Sequence, residues 1–150
     1  MKDKKVILGD NIKEISGFQQ HKRLKRPLLG ANIAAGFPSP AQDYIEKTID
    51  LNEQLISHPV ATFFIRVEGD SMIGAGIFPD DVLIVDRALN AADGNVIVAV
   101  LNSELTVKRL KISAKYWSLH PENPAYPEII ITEDTDFSVW GVVTYCIHKL

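Results

Sequence analysis

Hydrophobic and polar positions change texture at Pro59. Beyond it, apolar residues come in short runs rich in Val, Ile, Leu and Phe. These are VATFFIRV (60–67), VLIVD (82–86), NVIVAVL (95–101) and ELTVKRL (104–110). Turn residues bound such runs, which marks them as strands. Asp93–Gly94 signals a turn before the third, and Asn102–Ser103 between the last two a tight hairpin. KYWSLH (115–120) and EIIIT (128–132) are shorter candidates around a Pro-rich loop, HPENPAYPE, and FSVWGVVTYCIHKL (137–150) closes the chain as a long apolar strand. Before Pro59 the pattern is weaker. Ser39 as N-cap, Pro40 at the first helical position and Gln42 completing a capping box predict a helix start, with Tyr44, Ile45, Ile49 and Leu51 facing the body. Asp50 and Glu53 cap a second turn that runs to Ile56 and ends at Ser57–Pro59. Residues 1–35 show no sustained period and read as a mobile arm. The expected fold is therefore mainly β: a single compact, partly closed antiparallel β body with one short N-terminal helical segment, preceded by a flexible arm.

Length adds that 150 residues, 46% of them hydrophobic, suffice for one domain with a core and not for two of ordinary size. The single cysteine, Cys146, excludes an intramolecular disulfide and fits a reducing compartment. No apolar run approaches the ~20 residues of a membrane span, and the polar N-terminus lacks a secretory core. A cytoplasmic location is the expectation. Charge is divided unevenly. Residues 1–35 carry eight Lys or Arg against three Asp or Glu, a balance of +5; residues 36–150 carry eight against sixteen, a balance of −8. The basic arm is a solvated tail, a nucleic-acid contact or a segment that docks on its own acidic body.

Few chemistries fit the motifs. His21, His58, His120 and His148 are scattered, and no CxxC, HExxH or EF-hand loop is present, so no metal and no cofactor are expected. GDSMIGAG lacks the lysine of a phosphate loop and leads into a strand. That leaves Ser71, in the turn EGDSMIGAGIFPDD, as a turn residue or a displayed nucleophile. Gly69 leaves room for a substrate backbone, and Gly74 and Gly76 let the chain reverse. Nothing places His120 or His148 beside it. A serine is also activated by a neutral lysine, and burial lowers a lysine's pKa from ~10.4 by disfavouring the ammonium. Lys108 lies on the apolar strand ELTVKRL. Alternation puts Thr106, Lys108 and Leu110 on one face and Arg109 on the other, which leaves a surface lysine and a buried one both open.

GDSM after a strand, then GIFPDDVLIVD, LTVKRL and HPENPAYP in this order, resembles the LexA/UmuD family of Ser-Lys self-cleaving (S24-type) proteins of the SOS response. The likeness covers about residues 31–147, and GFPSPAQDYIEKTIDLNEQLISHPVATFF is similar to the region before the serine in the UmuD-like SOS mutagenesis proteins. The resemblance implies Ser71 as nucleophile, Lys108 as general base, and backbone N–H groups around Ser71 as oxyanion hole. IAAG (33–36) matches the family's cleavage sequence, with the scissile bond between Ala35 and Gly36. Asp70 carries no implied role. Where the family often has glycine, this chain has Asp80, which alters a turn and not the dyad.

The resemblance divides the chain into a basic arm, 1–35, removed by self-cleavage, and a Ser-Lys protease-like β domain, 36–150. It implies a serine endopeptidase cut with stimulation by a RecA–single-stranded DNA filament. The shortened form would serve an error-prone translesion polymerase of the UmuC type, as a homodimer without membrane contact or sequence-specific DNA binding. With 35 residues ahead of Gly36, a helix-turn-helix repressor domain is not expected. The alternatives are a non-catalytic polymerase-binding scaffold, a truncated LexA or phage-repressor autoprotease, and a signal peptidase, which would need a membrane anchor.

Overall fold

The structure, a computed structural model, describes residues 7–19, 25–29 and 45–150. It divides into two compact units, residues 1–18 with 58–150, and 19–57.

The larger unit is a curled, half-barrel sheet of nine strands. They are β1 (Ile7–Leu8), β2 (Ile12–Gly17), β5 (Thr62–Val67), β6 (Val82–Asp86), β7 (Val96–Leu101), β8 (Glu104–Ile112), β9 (Trp117–His120), β10 (Ile129–Ile131) and β11 (Phe137–Ile147). Their order is β10-β9-β8-β7-β11-β6-β5-β2, antiparallel throughout, while β1 adds to β8 in parallel. All seven segments expected after Pro59 are strands, β6 at the expected residues. Asn102 and Ser103, at φ 49° and 70°, form the tight β7–β8 turn.

Curling buries both faces of the central strands. Along β7, Val98 points into a core with Ile65, Leu83, Val85 and Val107, while Ile97 and Ala99 point into another with Leu110, Leu119 and Val142. NVIVAVL is a continuous apolar run because alternate side chains fill two cores.

Two expectations need correction. Residues 7–17, read as part of an arm without strand period, carry β1 and β2; β2 pairs with β5 from Ile12↔Val67 to Gly17↔Phe63. Only Asn11 and Ile12 of this segment are buried, and the mostly exposed β2 side chains hide the alternation from a periodicity reading. In the smaller unit, Ile45–Asp50 is not helical but a strand, β4, antiparallel to β3 (Lys25–Leu29). Cross-strand pairing outweighs the weak helix preference of this β-branched stretch. The capping residues Ser39, Pro40 and Gln42, with Tyr44, lie outside the described residues. The second expected turn is present as α1 (Leu51–Leu55): Asp50 caps it by accepting the Asn52 N–H at 2.9 Å, and the helix ends at Ile56.

Candidate active site

Ser71 belongs to the loop joining β5 to β6. Two backbone bonds close the loop's base, Val67 N–H to the Asp81 carbonyl and Asp80 N–H to the Val67 carbonyl, both 3.0 Å. Met72 and Ile77 are core residues, so they anchor the loop from within. Between them a 3-10 turn, Ile73–Ala75, ends on Gly76 in the left-handed conformation, φ 76°. Ser71 is thereby drawn inward, only 6% exposed.

The Pro-rich loop fastens this turn from outside. Gly74 N–H donates to the Glu122 carbonyl at 2.7 Å, Asn123 Nδ2 to the Asp70 carbonyl at 2.9 Å, and the Tyr126 hydroxyl to Asp70 Oδ1 at 2.5 Å. The bond to Asp70 raises the Tyr126 pKa, since it holds the phenolic proton beside a carboxylate. PENPAYP is thus a clamp on the serine turn.

Lys108 projects from β8 and is 7% exposed. Its neighbours Leu105, Val107 and Leu110 are also buried, so both faces of β8 are covered and alternation had no power to choose. Lys108 Nζ lies 3.4 Å from Ser71 Oγ, 3.2 Å from Thr106 Oγ1 and 3.1 Å from the Val107 carbonyl oxygen. Burial pushes its pKa below the ordinary 10.5, and the Asp10 carboxylate only partly opposes that. With no carboxylate bonded directly to it, the buried amine loses its proton more easily than an exposed lysine, and a free amine accepts a hydroxyl proton.

Asn11 completes the cluster, and the sequence reading missed it. Its Nδ2 lies 3.3 Å from Ser71 Oγ and donates to the Val107 carbonyl at 3.0 Å; its Oδ1 accepts from Val107 N–H and Thr106 Oγ1, each at 3.2 Å. The partners sit 95 and 96 residues away in sequence, and no local motif announces such a contact. Beside Lys108 opens a cavity of about 200 Å³ whose walls include Leu101, Thr106, Tyr126, Pro127 and Ile129.

His21 lies outside the described residues, and the other three histidines serve elsewhere. His148 Nδ1 pairs with buried Asp81 at 2.6 Å, and His58 Nδ1 with buried Asp86 at 2.6 Å. Ser118 Oγ meets His120 Nε2 at 2.9 Å, but Glu128 meets the same nitrogen at 2.8 Å. A relay needs the carboxylate on the opposite ring nitrogen, so these three do not form a triad. Among the described residues no cluster of three or more His, Cys, Asp or Glu is placed to hold a metal ion, and no helix is long and apolar enough to cross a membrane. Ala35 and Gly36 lie outside the described residues.

Comparison with known proteins places these features in context. The profile of a family described as Peptidase S24-like matches residues 27–144. The chain is 44% identical over 123 residues to the protein SamA of Salmonella typhimurium, covering 82% of this chain and 85% of that one. It is 43% identical over 122 residues to the protein MucA of Escherichia coli, covering 81% and 83%. It is 41% identical over 126 residues to LexA repressor 2 of Pseudomonas syringae pv. tomato, covering 84% of this chain and 61% of the repressor.

Proposed function

The chain belongs to the Peptidase S24-like family, of serine protease class and with UmuD-like relatives, and from that premise we propose that it is a self-cleaving protease of the SOS response that cuts itself between Ala35 and Gly36. The observation that carries the reading is the buried contact between Ser71 Oγ and Lys108 Nζ. Neutral Lys108 takes the Ser71 proton as Oγ attacks the Ala35 carbonyl carbon. Backbone N–H groups of the serine turn hold the oxyanion. The tetrahedral intermediate collapses, the Ala35–Gly36 bond breaks, and the lysine proton goes to the departing Gly36 amine. Water then adds to the acyl-enzyme, giving one proton to Lys108. That proton returns to Ser71 Oγ as the Ala35 carboxyl leaves.

Small residues suit the cut. Gly36 has no side chain to obstruct the extended strand a protease cleft requires, and the methyl group of Ala35 would need only a small pocket. The likeness to UmuD-like proteins supports a cytoplasmic homodimer, stimulation by a RecA–single-stranded DNA filament, and a role for residues 36–150 as accessory subunit of a UmuC-type translesion polymerase. A filament that seats the cleavage segment over an already depressed lysine would relieve latency.

The test is a mass spectrum after incubation with RecA, single-stranded DNA and a nucleotide. The expected product begins at Gly36, and Gly36→Glu blocks it. A main product starting elsewhere would show that IAAG is an ordinary loop.

A further inference from the structure

The edge of β8 beside Ser71 is occupied in an unusual way. On the side away from β7, the backbone groups of residues 103, 105, 107 and 109 face one line of partners. Ile7 N–H donates to the Ser103 carbonyl at 3.0 Å, and Gly9 N–H to the Leu105 carbonyl at 2.8 Å. From Arg109, which pairs with His120, the partner is β9. Between β1 and β9 lies Val107, and there no backbone among the described residues takes the place. The side chain of Asn11 does, giving Nδ2 to the Val107 carbonyl and accepting the Val107 N–H. A side-chain amide presents the same donor and acceptor as a peptide group. At Val107, Asn11 therefore stands where the peptide bond of an added strand would stand.

We propose that the Val107 edge of β8 is the docking point for an extended peptide substrate, and that Gly9–Asn11 fills it as a built-in substrate mimic. This rests on the protease reading above. Three features support it. An extended peptide binds a sheet edge through main-chain N–H and C=O groups, and Val107 offers one of each. The edge adjoins the nucleophile, since the same Asn11 amide reaches Ser71 Oγ at 3.3 Å. The approach of the mimic is also close: a Cβ added at Gly9 would collide with the Leu105 carbonyl oxygen, so only glycine lets residues 7–11 lie this near β8. A substrate strand must displace the mimic, and its apparent affinity falls by the fraction of molecules in which the edge is filled.

The experiment measures binding of a fluorescein-labelled peptide with the sequence of residues 30–39 to full-length chains that all carry Ser71→Ala, so that nothing is cut. Asn11→Ala, Asn11→Asp and Gly9→Ala are compared on that background by fluorescence anisotropy. Asn11→Asp retains the acceptor for Val107 N–H and removes the donor to its carbonyl; Gly9→Ala acts on the backbone approach and leaves the amide intact. Circular dichroism identifies any variant that fails to fold, and the other two carry the result. The expected outcome is tighter binding in each folded variant, about five- to tenfold for Asn11→Ala, the size of a net hydrogen bond lost from the filled state. With Ser71 restored, Asn11→Ala should cleave itself faster. Unchanged peptide binding overturns the inference, and so does slower self-cleavage, which would make Asn11 a positioning residue for Ser71. Labelling of Ser71 in the otherwise unaltered chain by a fluorophosphonate tests the protease reading separately. Tightening without labelling supports the peptide edge and sinks the protease; labelling without tightening sinks the mimic and leaves the protease.

Discussion

Asp81 and Lys108 are both buried in the same half-barrel, and the pKa of each is lowered, yet the two shifts mean opposite things. For Asp81, burial works to raise the value. Donors from Phe78 N–H at 2.8 Å, His148 at 2.6 Å and Cys146 at 3.3 Å outweigh it, and the carboxylate is the preferred form. The thiol pays in kind: burial and the Asp81 carboxylate push Cys146 up to about 12, which removes it as a nucleophile. For Lys108, burial itself lowers the value and the Asp10 carboxylate opposes it only in part, so the amine gives up its proton more readily than an exposed lysine does. A buried charge surrounded by partners is structural. A buried charge left short of counter-charge is a candidate for chemistry, because burial brings its neutral form within easier reach.

The comparison breaks most sharply at Lys108. Lys108→Met should lower the self-cleavage rate by about 10²–10⁴-fold, the usual worth of a general base, and Ser71→Ala should abolish it, with the strand signal in circular dichroism kept in both. A Lys108→Met chain that cuts normally would mean the base is misassigned. The rate of the unaltered chain should also climb tenfold per pH unit from pH 7 and level off below the ordinary lysine value of 10.5, at low and high salt alike. A profile that is flat in pH and moves only with salt would make docking of the basic arm the limiting step.

Asp81 should break differently. Asp81→Ala removes the acceptor for three groups and should cost about 3 kcal/mol in urea unfolding. A loss below ~1 kcal/mol would show that the His148 contact is superficial.

The pH dependence of stability sharpens the contrast. Asp81 has a folded value below 3.8, so its contribution is complete above 3.8 and is lost as pH falls through the folded value. Lys108 has a folded value below 10.5, so the unfolded chain takes up its proton first as pH falls from 10.5, and folding loses stability there. Lys108→Met should therefore be more stable than the unaltered chain at pH 7, with the advantage gone above pH ~10.5. An advantage independent of pH would come from packing rather than charge.

The smallest effect is expected at Asp80. Its φ of 69° lies in the left-handed region that disfavours a Cβ. Asp80→Gly should stabilise by about 1 kcal/mol despite losing the exposed ion pair to Lys13, without altering cleavage. A destabilised Asp80→Gly would mean that the ion pair outweighs the backbone strain.

By itself the sequence determined the β class, the strands after Pro59 and the Asp50-capped turn, because each is a local pattern of alternation, turn residues or capping. It also singled out Ser71 and Lys108 as chemically suited, though β8 is covered on both faces and its alternation carried no information about burial. Tertiary structure alone decided that the lysine amine meets the serine hydroxyl, 37 residues away along the chain. It likewise made Ile45–Asp50 a strand, since the hydrogen bonds that define it come from β3. And it brought Asn11 from an unpatterned N-terminal segment to the backbone of Val107. Contacts at such separations depend on how a twisted sheet curls, and no window of neighbouring residues encodes that.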